Sequence, residues 1–390
     1  MSKLIHLGID ASNISSGGGL THLSRLLDSV SPDNYSIGRV TVWGSRNTLS
    51  VLPSKNWLKI VTSPVLNAFM PARMAWQQFV LPGQLQTESV DVLFSPGGTI
   101  PGLSSIPVVT MSQNMLPFEP QEASRYALIS PFRFKLSALK IAQTYSMRNA
   151  DGVIFLSRYA SERLLGLIPG VKGKVVIIPH GIEERFFAEP RLAKSITEYS
   201  EARPLRIIYV SAIDNYKHQL GAAAAVADLR RKGLPLELEL VGYPLRSSYV
   251  KQLRVLMLRL DPERRFLRYS GNTEFEKLHN TYRQADLFLF ASTCENLPNI
   301  LLEAMASGLP IACSDRGPMP EVLGSAGVYF NPESSIETSS AILKLVSSPE
   351  LREKMSQEAY LRAKDYSWTK CAADTFSFIA GLSQTISNHR

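Results

Sequence analysis

Cysteine is scarce in this chain, and the three residues present, Cys294, Cys313 and Cys371, are odd in number and lack metal-ligand spacing. A disulfide framework and a cysteine zinc site are thereby excluded, and unpaired buried thiols in a reducing cytoplasm are expected. No apolar run is long enough to span a bilayer. The opening MSKLIHLGID holds only a brief apolar run before Asp10, too short for the core of a secretory signal, and reads as a first strand. Neither the GxGxxG dinucleotide fingerprint nor a GxxxxGK[ST] phosphate loop occurs. Lysine and arginine form no long run and no aromatic-interleaved motif, so no nucleic-acid partner is expected. Short repeats and low-complexity tracts are absent as well.

What is present is a chain of 390 residues, 45% apolar, with a net charge of +8. That length exceeds what one core organises, so two domains are expected, each large enough to bury a full core. The positive charge permits attraction to a phosphorylated substrate or an anionic lipid surface without choosing between them.

Short β-type runs alternate with helical stretches from end to end, the pattern of parallel α/β domains. Strands are expected at 4–9, 40–43, 59–61, 90–94, 108–111, 152–155 and 175–178. Helices fall at 20–30, 75–84, 133–149 and after Ser157. A charged, proline-flanked lapse then precedes a second alternation, with strands at 206–210, 236–241, 266–269, 287–290, 311–313 and 328–330. Helices are expected there at 220–231, 249–259 and 274–284. The expected organisation is an N-terminal Rossmann-like domain over 1–185, a linker over 186–204, and a C-terminal Rossmann-like domain over 205–366. A final helix over 367–390 is expected to pack back on the first domain. Doubly wound parallel sheets bind ligands beyond the carboxyl ends of their strands, so two such domains would face a common cleft.

The most informative stretch runs from Asp286 to Asp315 and sets Glu295 and Glu303 eight residues apart across a strand-to-helix turn. Glu295 falls in the loop, Pro298 can open a helix as its first residue, and Glu303 falls in that helix's second turn. Gly308 and Pro310 then stop it. An open helix N-terminus offers unpaired amides and a partial positive charge to a phosphate, while carboxylates accept hydrogen bonds from hydroxyls. Phosphate together with polyol points to a nucleotide sugar. A paired acid and base for hydrolysis is the weaker reading, because such carboxylates must flank one scissile bond.

Three further features bear on a site. Gly17, Gly18 and Gly19 follow the first strand and precede a helix, where backbone can approach a ligand or simply turn. Lys217 follows the first strand of the second half, where a lysine can neutralise a diphosphate as it leaves; an exposed lysine at a helix start is the alternative. Between residues 121 and 150, Arg125, Arg133, Lys135, Lys140 and Arg148 face only Glu122 and are interleaved with Phe132, Phe134, Leu139, Ile141 and Tyr145. That is the composition of a basic amphipathic helix able to touch an anionic membrane, or of a domain helix with a solvated basic face.

The segment ENLPNILLEAMASGLPI resembles the E-x7-E signature of retaining glycosyltransferases of the GT-B fold, particularly glycosyltransferase family 4. The resemblance extends through GPMPEVLG, the 327–332 segment and DYSWTKCA, and touches the first half only at the glycine loop, LSRYASERL and IIPHGIEERFF. It implies two Rossmann-like doubly wound domains facing a cleft, and transfer of a sugar from a nucleotide diphosphate donor to an acceptor hydroxyl with retention. By it, Glu295 positions the donor sugar, Glu303 holds the ribose, and Asn296, Leu297, Asn299 and Ile300 line the turn that meets the diphosphate. Gly18 and Gly19 join the donor site, Gly271 and Asn272 lie near the base, and Lys217 assists front-face departure with neither metal nor cofactor. The expected setting is cytoplasmic assembly of bacterial polysaccharide (O-antigen, capsule or exopolysaccharide) or glycolipid on a lipid-linked or saccharide acceptor, at the inner membrane face if the basic segment docks.

Two departures from the family pattern stand out. Ala212 occupies the place of a common arginine before Lys217. In TMSQNMLPFEP, Gln113 and Asn114 occupy the place of a common histidine; both can hydrogen-bond but neither can act as a charged acid or base. His180 in PHGI is the nearest recognisable histidine and completes the acceptor-side candidates. These departures keep open a non-catalytic scaffold that binds a nucleotide sugar and recruits a partner.

Overall fold

The computed structural model of the chain describes residues 4–14, 17–102 and 104–387. Met1 to Lys3 of the expected first domain and residues 388–390 of the expected last helix lie outside them. Two compact units result. The first comprises residues 1–120, 127–181 and 367–390, and the second residues 121–126 and 182–366.

The first unit is a seven-stranded sheet built from β1 (Ile5–Ala11), β2 (Ile37–Gly44), β3 (Leu58–Val61), β4 (Val92–Ser95), β5 (Val108–Met111), β6 (Gly152–Phe155) and β7 (Lys174–Ile177), in the order β3-β2-β1-β4-β5-β6-β7. Every pairing is parallel. Central strands such as β1 and β4 are buried at every residue, as expected of a parallel sheet covered on both faces. The order reverses between β1 and β4, so this unit's topological switch point lies beyond the carboxyl ends of those strands.

The second unit repeats the design with six strands: β8 (Leu205–Val210), β9 (Leu236–Val241), β10 (Leu267–Gly271), β11 (Leu287–Phe290), β12 (Ile311–Ser314) and β13 (Val328–Phe330), in the order β10-β9-β8-β11-β12-β13. These pairings too are parallel, and the reversal falls between β8 and β11. Phe288 and Phe290 stack, and Tyr209 and Tyr282 meet them edge-on or tilted in the core. The chain thus has two Rossmann-like doubly wound domains.

Several boundaries differ from the sequence expectation for identifiable reasons. The helix expected at 75–84 is two helices, Met70–Phe79 and Leu81–Thr87; Pro82 has no amide to continue the first and sits instead at the start of the second. The stretch 274–284 opens with a 3-10 turn at Phe275–Lys277 before the helix Leu278–Arg283. Residues 186–204 belong to the second unit rather than forming a free connection. Ala188 N donates to Ala306 O at 3.0 Å, Ser307 Oγ to Phe186 O at 3.1 Å, and the buried Arg352 guanidinium to Lys194 O. The helix Trp368–Ser387 is part of the first unit. The residues 121–150 also divide: 121–126 fold with the second unit and Pro131–Asn149 forms a helix of the first. Arg125 is accordingly paired, at 2.7 Å from Glu122 and 2.6 Å from Glu333.

Candidate functional site

The two loops that leave β8 and β11 carry the residues singled out in the second half. Backbone and side chain of Thr293 both donate to Tyr216 O, at 2.9 and 3.1 Å, tying the loops together at the switch point. Lys217 lies in a short turn capped by Asp214, with Tyr209 Oη donating to its carbonyl at 2.6 Å. Its ammonium hydrogen-bonds Glu295 Oε1 and stands 4.9 Å from the centroid of the Tyr216 ring. The Lys217 side chain is 6% exposed and that of Glu295 16%, so the pair is largely desolvated.

Four residues beyond Glu295 the helix Asn299–Ala306 begins. Pro298 stands just outside it as the N-cap rather than as its first residue, and no side chain caps the helix. Leu301 N and Leu302 N bond to Pro298 O at 2.9 and 3.2 Å, which leaves the first-turn amides of Asn299 and Ile300 without an intrahelical acceptor. Asn296 and Leu297 are buried in the turn, and Asn299 Oδ1 is buried with no hydrogen-bond partner. Glu303 is buried and accepts from Tyr282 Oη at 2.9 Å. Burial pushes its carboxyl up to about 8, against the opposing hydrogen bond from Tyr282; in the free protein near neutrality it is largely protonated.

The arrangement therefore gathers Lys217, Glu295, Asn296, Leu297, Asn299, Ile300 and Glu303 around one strand-to-helix turn. Gly271 ends β10, the edge strand two positions from β8, and Asn272 follows it. Gly271 adopts φ 72° with open space where a Cβ would be, and Asn272 is exposed. Ala212 offers no charge, and its carbonyl accepts from Gln219 at 2.9 Å. Sequence reasoning missed Tyr216, His218 and Thr293, which hold the Lys217 loop, and Tyr282, which holds Glu303. Tyr216 and His218 flank Lys217 in the sequence, whereas nothing local marks Thr293 or Tyr282. His218 Nε2 meets Thr293 Oγ1 at 3.3 Å, and burial with the nearby Arg125 charge lowers it to about 4. Among the described residues no group of three His, Cys, Asp or Glu could hold a metal ion.

The remaining candidates belong to the first unit. Gly18 and Gly19 form the first turn of the helix Gly18–Asp28, after Gly17 at φ 69°. Gly19 packs on Gln113, since a Cβ there would lie 2.7 Å from its Oε1. Gly19, Gln113 and Asn114 line one cavity of about 400 Å³ beyond β1 and β4. His180 does not line it. It is 4% exposed, its Nδ1 lies 2.8 Å from that of His22, and both rings pack on Trp368. Burial depresses the pKa of both imidazoles, that of His22 to about 4, so they form a neutral pair anchoring the last helix.

Known proteins share this construction. Residues 195–362 match the family model of glycosyl transferases group 1. The O-antigen chain mannosyltransferase B of Escherichia coli is 32% identical over 112 residues, 29% of this chain and 29% of that protein. The matched stretches span 21% to 57% of the first three curated relatives. A sucrose-phosphate synthase structure from Thermosynechococcus elongatus aligns over 98% of this chain and all of its own, with a TM-score of 0.77 at 16% identity. An Anabaena protein, HepE, solved in complex with UDP, aligns over 98% of this chain and 100% of its own, at a TM-score of 0.68 and 18% identity. The fold is GT-B. Together with the family match over the second unit, these findings support a group 1 glycosyltransferase.

Proposed function

We propose that the chain is a retaining, metal-independent glycosyltransferase moving a sugar from a nucleotide diphosphate sugar to an acceptor hydroxyl, in polysaccharide or glycolipid assembly. The observation that carries this reading is the desolvated Lys217–Glu295 pair beside an uncapped helix N-terminus, with Glu303 one turn further on. A diphosphate drawn to the amides of Asn299 and Ile300 would take over the Lys217 ammonium, freeing Glu295 to orient sugar hydroxyls. Glu303 would meet the ribose, and Gly271 and Asn272 the base. The sugar–phosphate bond breaks as the acceptor oxygen bonds to the same face of the anomeric carbon, and the acceptor proton passes to the departing diphosphate. UDP bound to the Anabaena neighbour and the O-antigen role in the name of the mannosyltransferase relative support a nucleotide-sugar donor and a polysaccharide setting.

The lipid-linked acceptor is supported by the helix Pro131–Asn149, on which Phe134, Ile141 and Tyr145 are exposed at 65%, 72% and 45% beside Lys140 and Arg148. Anionic membrane would suit that face at the cytoplasmic leaflet. A panel of nucleotide sugars, assayed for donor turnover with and without a chelator, tests the proposal. Turnover of one donor, unchanged by chelator, is expected; loss of activity restored by a divalent ion would refute the metal-free mechanism. Ala212 favours one second reading, a nucleotide-sugar-binding scaffold, which the same panel distinguishes by binding without turnover.

A further inference from the structure

The cavity in the first unit has a composition that nothing in the donor chemistry requires. It opens at that unit's switch point, where Asn13 follows β1 and Gly97 follows β4, and Asn13 Nδ2 donates to Thr99 Oγ1 at 2.8 Å across it. The helix Met70–Phe79 contributes Arg73, and the helix Pro131–Asn149 contributes Lys135 and Gln143. Two cations thus line the cavity, and no aspartate or glutamate does. Among the described residues neither Arg73 nor Lys135 makes an ion pair. Arg73 uses Nη1 to hold Ser12 O at 3.1 Å, while its Nε is buried without a partner. The nearby carboxylate is Asp10, whose oxygens are occupied by Ser12 N at 3.0 Å, Ser95 Oγ at 3.2 Å and Gln77 Nε2. Those three donors take up its oxygens, and it makes no ion pair with Arg73.

A partly buried guanidinium with no counter-ion is costly unless an anion arrives, because its desolvation is otherwise uncompensated. The helix that brings Lys135 also brings Gln143, which is 5% exposed with its Oε1 buried and without a partner. That oxygen can only accept, so it calls for a hydroxyl. A volume of about 400 Å³ suits a monosaccharide-sized group with a substituent.

We propose that this cavity binds an acceptor sugar carrying an oxyanion, a phosphate ester or a carboxylate, with the anion on Arg73 and Lys135 and a sugar hydroxyl on Gln143 Oε1. Naming the occupant an acceptor rests on the glycosyltransferase reading; the anion site itself does not. The test is calorimetry of the full chain with glucose 6-phosphate, glucuronate, inorganic phosphate and glucose, each with and without UDP. At least one of the two anionic sugars should bind about tenfold or more tighter than glucose, and which of them does so identifies the source of the charge. Arg73→Gln and Lys135→Gln should each erase most of that preference. Lys135 is exposed, so its variant reports even if Arg73→Gln fails to fold. Tight binding of phosphate alone, independent of the sugar, would indicate an ion site and overturn the sugar assignment. Equal binding of glucose and both anionic sugars, or a preference that survives both substitutions, would overturn the proposal. UDP binding without anion preference would leave the donor reading standing, and anion preference without UDP binding would do the reverse.

Discussion

Replacing Lys217 with methionine should damage folding and turnover by separable amounts. The ammonium and the Glu295 carboxylate are paired with side-chain exposures of 6% and 16%, so solvent screens the pair only weakly. Removing the cation strands a nearly buried carboxylate, at a cost of roughly 3–5 kcal/mol. Glu295 sits on a loop with some access to water, which places the expected loss near the lower end, about 3 kcal/mol. For a domain of this size that is a fall of about 6–12 °C in Tm. Lys217→Met/Glu295→Gln removes both charges, leaves none stranded, and should recover most of that loss. Turnover behaves differently if Lys217 stabilises the departing diphosphate. The single variant should lose about 10²–10³ in kcat, and the double variant should recover none of it. Thermal melts and donor turnover on the parent, the single variant and the double variant decide the matter. A double variant no more stable than Lys217→Met would show that the two charges are not coupled. A Lys217→Met enzyme turning over like the parent would remove the leaving-group role.

Three other outcomes follow from the geometry. The Glu303 carboxyl is raised from 4.5 to about 8, so the native state holds an extra proton between those values; its stabilising effect is complete below the lower one and is lost as pH climbs through the upper. Wild-type Tm should therefore fall more steeply than that of Glu303→Gln between about pH 5 and 8, and parallel curves would contradict the buried, protonated assignment. Gly308 adopts φ 62°, and a Cβ there would lie 2.7 Å from Ala188 O and 2.8 Å from Pro190 N. Gly308→Ala should cost about 2–4 kcal/mol in chemical denaturation, and a neutral result would mean that residues 186–190 do not pack as described. Flotation with anionic liposomes should carry the protein upward at low salt and not at high salt; Phe134→Ser/Ile141→Ser should abolish it, and flotation indifferent to both would remove the membrane face.

The second half was largely legible because its signals are local. Asp286 to Asp315 contains strand, turn, helix, stop and strand in sequence, so the loop position of Glu295 and the helical position of Glu303 follow from spacing, and only the role of Pro298 shifts by one residue. What was not legible depends on partners far along the chain. Tyr282 reaches Glu303 across 21 positions, and His22 meets His180 across 158, which turns an apparent cleft histidine into a core pair. Residues 186–204 look like a linker by composition, yet the anchors that hold them lie at Ala285, Ala306 and Arg352. The 121–150 region reads as one basic segment because charge pattern carries no information about which unit a residue joins. Arg73, too, has no motif around it; only the loss of a counter-ion in the folded unit distinguishes it from a solvated arginine.

The central claim is that one nucleotide diphosphate is gripped around the Asn299–Ala306 helix by Lys217 and Glu303. Calorimetric titration of the full chain with UDP, GDP and ADP tests it directly, using Glu303→Ala as the comparison. One of the three should bind with a single site per chain and weaken by about tenfold or more in the variant. No measurable binding of any of them, or binding that Glu303→Ala leaves untouched, would contradict the account.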